Sequence, residues 1–144
     1  METKSSILLI KLIDFYNIQD NFNKLQIILD GKGKISMRII EWYISVYSKK
    51  YNRILHCEYK NILRGLNKAN FDPYRRKIKG KETIFLFECH SGHCYTSVAQ
   101  ANFYKWIIEK EILEQITKDW ESINKIFIEF NQNKKEIMKN KIIG

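Results

Sequence analysis

A chain of 144 residues fits one domain with a modest core and leaves no room for a second. Its formal charge of +9 is concentrated: Lys49 to Lys81 holds eleven basic and two acidic side chains in 33 residues, whereas the other 111 residues hold 14 of each. Three cysteines without a signal-peptide pattern exclude a disulfide framework, and the apolar run SILLIKLI, broken by Lys11 and followed by Asp14, is too short to span a bilayer.

Residues 5–17 carry Ile7, Leu8, Leu9, Ile10, Leu12, Ile13, Phe15 and Tyr16 around Lys11 and Asp14, a helical pattern. Asp20 or Asn21 caps a second helix, NFNKLQIILD, with Phe22, Leu25, Ile28 and Leu29 at helical spacing, and GKG ends it, so the pair is expected to form a helical hairpin. Ser36 is the expected N-cap of the next helix. There Ile39, Ile40, Tyr43, Val46 and Tyr47 recur on one side, with Trp42 near its edge.

A short strand or turn is expected around RILHC, followed by a basic helix from Glu58 to Asn67. Tyr59, Ile62, Leu63 and Leu66 face inward in that helix while Lys60, Arg64 and Lys68 face outward. Pro73 makes NFDPY a turn or an extended crossing. ETIFLFECH and HCYTSV predict a β-hairpin with its tip near Ser91 and Gly92. Ser97 caps a helix over VAQANFYKWIIEKEI, and after a break near Thr117 and Lys118 the last segment uses Trp120, Ile123, Ile126, Phe127 and Phe130. The tryptophans Trp42, Trp106 and Trp120 are assigned to packing. The expected class is α+β, an α-rich single domain over residues 1–130 with a small β-hairpin near 85–95, followed by a polar lysine-rich tail at 131–144.

Phosphate binding needs several cations on a backbone that fixes their positions. Three tracts offer them: Lys49, Lys50 and Arg53; Lys60, Arg64 and Lys68; and Arg75, Arg76, Lys77, Lys79 and Lys81. The arginines suit bidentate phosphate contacts, and the lysines act as less directional charges. Tyr51, Tyr59 and Tyr74 are the candidate rings for stacking on unpaired bases. Zinc-finger spacing, an RNP pattern, a KH-type GXXG clamp and a basic zipper are all absent from the sequence. The dense basic tract also lacks the tryptophan-rich apolar face of a membrane-surface helix.

The most chemically concentrated passage is ECHSGHCY. Cys89, His90, His93 and Cys94, with Cys57 or His56 as a completing ligand, are the weak candidates for a structural zinc site. Adjacent strand residues point to opposite faces and no paired C-x₂-C knuckle is present, so no cofactor is assigned. GKG falls short of a P-loop, and Asp14, Asp20, Asp30, Asp72 and Asp119 form no metal-binding pattern, so the chain is not expected to be an enzyme.

The stretches ISMRIIEWYISVYSKKYN, YKNILRGLNKANFDPYRR and TSVAQANFYKWIIEKEIL resemble a conserved, poorly characterised protein group of nucleocytoplasmic large DNA viruses, over Ile35 to Leu113. That resemblance implies a viral protein of the host cytoplasm, the viral factory or the virion. It implies no catalytic residues. Two roles are expected from it: a non-enzymatic nucleic-acid-associated protein making mainly sequence-independent phosphate contacts, or a virion structural or assembly protein that binds other viral proteins.

Overall fold

A computed structural model of the chain describes residues 4–74, 77, 78, 81, 82 and 84–143. The first two helices, α1 (Lys4–Tyr16) and α2 (Asn21–Asp30), pack on one another as the expected hairpin. Gly31 terminates α2 in the left-handed conformation, φ 67°, where an L side chain is disfavoured. Asp20 precedes α2 without a side-chain capping bond.

Ser36 caps α3 (Met37–Trp42), its hydroxyl accepting from Ile39 N at 3.2 Å. The helix then widens into a π-helical segment, Tyr43–Tyr47, before resuming as α4 (Ser48–Tyr51). A π turn holds one residue more than an α turn and therefore rotates the residues beyond it about the helix axis. Val46, expected inside, is 39% exposed, and Ile44 is fully buried instead. The widened turn leaves carbonyls for side chains to meet. Ser45 Oγ donates to Glu41 O at 2.8 Å, Ser48 Oγ donates to Ile44 O, and His56 Nδ1 lies 3.2 Å from Ser48 Oγ.

Residues 53–57 are helical, which corrects the expected strand or turn around RILHC. Asn52 accepts from Leu55 N at 3.2 Å and so caps one helix, α5 (Arg53–Leu66). Ile54 favours the strand assignment but faces solvent at 77% exposure, so it gains no packed sheet surface there.

The segment after α5 crosses to α6 (Val98–Glu109) and is tied to it by three bonds. Asn102 Nδ2 donates to Asn70 O at 3.0 Å, Asp72 N to Ala99 O at 3.2 Å, and Gln100 Nε2 to Pro73 O at 2.9 Å. The Pro73 turn is closed by Tyr74 N donating to Asp72 Oδ1 at 2.8 Å. Two short strands, β1 (Lys77–Ile78) and β2 (Lys81–Glu82), pair antiparallel.

The expected hairpin comprises β3 (Phe85–Cys89) and β4 (Gly92–Thr96), in register Cys89↔Gly92, so its tip is His90–Ser91. Gly92 has φ 148°, and a Cβ there would meet Phe22 Cε1 at 3.2 Å. Gly92→Ala is expected to cost about 1–3 kcal/mol through backbone strain. Equal urea midpoints for variant and wild type would show that the turn tolerates a side chain.

Ser97 caps α6 as expected, accepting from Gln100 N at 3.1 Å. Only Val98, Lys105 and Glu109 of this helix escape burial, making α6 the central helix with α1, α2 and α7 (Ile112–Lys118) against it. It stops at Glu109, not Ile112, because Glu111 takes φ 56° and starts α7. The last helix, α8 (Trp120–Ile143), carries the lysine-rich residues 131–143 as helix.

Two buried phenols differ in their partners. Tyr16 donates to Ala101 O at 2.6 Å, whereas Tyr104 OH has no partner among the described residues. Tyr16→Phe is expected to lose about 1–2 kcal/mol, and Tyr104→Phe to leave stability unchanged or raise it by up to about 1 kcal/mol. Burial raises both phenols above the ordinary 10.0. The unfolded phenol ionises first, so the stability they confer is complete below pH 10 and falls as pH climbs through the higher folded values. Alkaline unfolding followed by circular dichroism should therefore begin above about pH 10 and be delayed in Tyr104→Phe. Greater alkali sensitivity in that variant would contradict this assignment.

Candidate nucleic-acid interface

The helix α5 carries three of the candidate cations. Arg53, Cys57, Lys60 and Arg64 fall at i, i+4, i+7 and i+11, one face of a helix about 21 Å long, and all four are exposed. Lys49 and Lys50 are exposed in the last turn of α4, immediately before Asn52 turns the chain into α5. The first and second basic tracts are thus consecutive in the chain, on two helices joined at Asn52. Lys68 is exposed just beyond the C-terminus of α5.

Charge on this face is uncompensated. Lys49, Lys50, Arg53, Lys60 and Arg64 form no ion pair among the described residues. Glu58, the one acidic residue of α5, instead pairs with Lys110 at 2.8 Å. The Lys50 ammonium lies 5.3 Å from the ring centre of Tyr51, and that of Lys60 lies 5.8 Å from Tyr59.

The third tract is only partly placed. Arg75, Arg76 and Lys79 lie outside the described residues, and Lys77 and Lys81 are placed as strand backbone in β1 and β2.

The three stacking candidates separate. Tyr51 is 54% exposed and continues a ladder in which Tyr43 and Tyr47 stack at 4.8 Å and Tyr47 and Tyr51 approach at 4.6 Å. Tyr74 is 45% exposed. Tyr59 is corrected: at 9% exposure it is a core residue, its ring against Phe71 and Trp106, because the inward face of α5 carries it. It cannot stack on a base.

Beside Tyr74 lies a groove of about 340 Å³ between α3, the π-helical segment and α8. Its walls include Arg38, Glu41, Trp42, Asn131 and Lys134, none of which the sequence singles out as a site. The aromatic periodicity of α8 announces a packing helix, but nothing local announces that Lys134 and Arg38 line the same groove.

The hairpin register separates the cysteines from the histidines. Phe87, Cys89, Cys94 and Thr96 share the face packed on the core, while His93 stands opposite Glu88 on the exposed face and His90 sits at the tip. His56 is engaged with Ser48, and Cys57 is on α5. Among the described residues, no group of three or more His, Cys, Asp and Glu could hold a metal ion. Burial, then Cys89 and Asp30, push the Cys94 thiol up to about 11, so at neutral pH it is protonated, a poor nucleophile and a poor ligand.

A family of unknown function, DUF7197, matches residues 2–143. The chain belongs to that family. It is also similar to Uncharacterized protein L507 of Acanthamoeba polyphaga mimivirus, at 29% identity over 134 residues, an alignment covering 78% of this chain and 49% of the relative. The chain therefore spans about half the length of that relative. The resemblance seen over Ile35 to Leu113 holds at the level of the family, which has a member in a large DNA virus. No solved structure matches the chain. Neither description names an activity. Among the described residues, no helix is long and apolar enough to cross a membrane.

Proposed function

We propose that the protein is a non-enzymatic, nucleic-acid-associated viral protein that contacts phosphates with little regard to sequence, in the infected-cell cytoplasm, the viral factory or the virion. The observation carrying this reading is the run of exposed cations, Lys49, Lys50, Arg53, Lys60 and Arg64, along α4 and α5, free of carboxylate partners among the described residues. Such a face raises the local potential and releases counterions when it meets a polyanion. The rigid helix gives the charges a register that a loop would not.

Cys57 provides an internal reporter, since its exposed thiol lies between Arg53 and Lys60 on the same stripe while Cys89 and Cys94 face the core. Saturating duplex or single-stranded DNA is expected to slow Cys57 alkylation at least about tenfold, with relief of that protection in high salt. Unchanged Cys57 labelling with DNA bound would place the contact elsewhere, and no binding at low salt would remove the reading. A virion assembly role is favoured instead by Ile54 and Tyr95, exposed at 77% and 70%. Stable stoichiometric complexes with viral proteins in nuclease-treated samples would support that alternative.

A further inference from the structure

The groove beside Tyr74 has the composition of a site for a flat, partly polar group with an attached anion. Aromatic walls come from Trp42, Tyr74 and the α8 phenylalanines, and cations from Arg38 on α3 and Lys134 on α8. Its volume of about 340 Å³ falls near the lower end of ordinary small-ligand sites, roughly 300–1,000 Å³. Four polar side chains at its walls, Arg38, Glu41, Asn131 and Lys134, make no side-chain hydrogen bond or ion pair among the described residues.

The buried wall of the groove is Trp42. Trp42 is 4% exposed, and its indole N–H has no partner among the described residues. A buried donor left without an acceptor is costly, and Trp106, at 7% exposure and outside the groove, carries the same unpartnered N–H.

The groove is also continuous with the basic face. Ser45 and Val46 line it, and Lys49 and Lys50 come one turn later on the same helical run. A strand whose backbone contacts Lys49 and Lys50 therefore lies one helical turn from the residues that wall the groove.

We propose that this groove receives an unpaired nucleobase, with Arg38 and Lys134 meeting the flanking phosphates, so that the protein prefers single-stranded over duplex nucleic acid. This rests on the phosphate-contact function proposed above. Tyr74 supplies the stacking ring, and Glu41 and Asn131 present an acceptor and an amide to the base edge. A paired base cannot enter, because its edge and faces are already occupied within the duplex.

The test is fluorescence anisotropy of labelled oligo-deoxythymidine, oligo-uridine and a duplex of the same length, with wild type, Tyr74→Ala and Asn131→Ala. Alanine at 131 favours helix, so α8 should be retained, and circular dichroism checks both variants. The ratio of single-strand to duplex affinity is expected to fall about tenfold in Tyr74→Ala and several-fold in Asn131→Ala. If wild type binds nucleic acid but both folded variants keep its ratio, the groove assignment is wrong while the basic face stands. If wild type binds none of the three probes at low salt, the phosphate-contact function fails and takes this inference with it. Preference between oligo-deoxythymidine and oligo-uridine tells which single strand fills the site.

Discussion

Phe71→Ala is expected to destabilise the protein by about 3–5 kcal/mol, the range for removing a buried aromatic ring and leaving its cavity. Phe71 is 2% exposed and sits where three elements meet: 5.1 Å from Phe103 and 6.0 Å from Trp106 on α6, and 6.2 Å from Tyr59 on α5. Its backbone neighbours Asn70, Asp72 and Pro73 are bonded to α6, so the crossing segment cannot easily slide to fill the space. The expected result in urea is a lower midpoint with an unchanged slope. A loss below about 1 kcal/mol would mean that the crossing relaxes into the cavity and is not a rigid anchor between α5 and α6.

The second large effect is on binding. Arg53→Glu/Lys60→Glu/Arg64→Glu reverses three charges on the stripe of α5. Exposed substitutions away from packing shift stability little, so the variant should unfold close to wild type. Each phosphate contact contributes close to one unit to the dependence of log affinity on log salt, so the slope should flatten by about three units. The variant should also fail to protect Cys57. Wild-type affinity and slope in a folded triple variant would show that α5 does not carry the contact.

Local signals make much of the fold legible. Ser36 and Ser97 are readable as caps because a capping hydroxyl bonds within three residues of itself, at 3.2 Å to Ile39 N and 3.1 Å to Gln100 N. The hairpin is readable from alternation on either side of a short polar turn. The π-helical segment is not legible, since reading faces at 3.6 residues per turn assumes that no residue is inserted. That assumption places Val46 inward and misses Ile44. Around RILHC the β-branched, exposed Ile54 outweighs Asn52, whose capping role marks the true start of α5. Ending one helix at Glu109 and opening another at Ile112 depends on the left-handed Glu111, a conformation that side-chain type alone does not announce.

The candidate site divides in the same way. Helical spacing gives Lys60 and Arg64 as outward on α5, and their exposure agrees with it, whereas Arg53 falls in the stretch read as a strand or turn and joins the stripe only because α5 starts there. Tyr59 reads from sequence both as a core residue and as a stacking ring, and packing against Phe71 and Trp106 decides for the core. The groove draws on α3, the Pro73 turn and α8, which are remote in sequence, so periodicity within any one segment could not reveal it.

The most direct measurement of the phosphate-contact function is wild-type affinity for a short duplex and a single strand across a salt series, with unrelated sequences of each. The expected result is affinity nearly independent of sequence, with a duplex slope of roughly −4 or steeper, corresponding to the five exposed cations of α4 and α5 acting together. Undetectable binding at low salt, or binding with a flat slope, would contradict it.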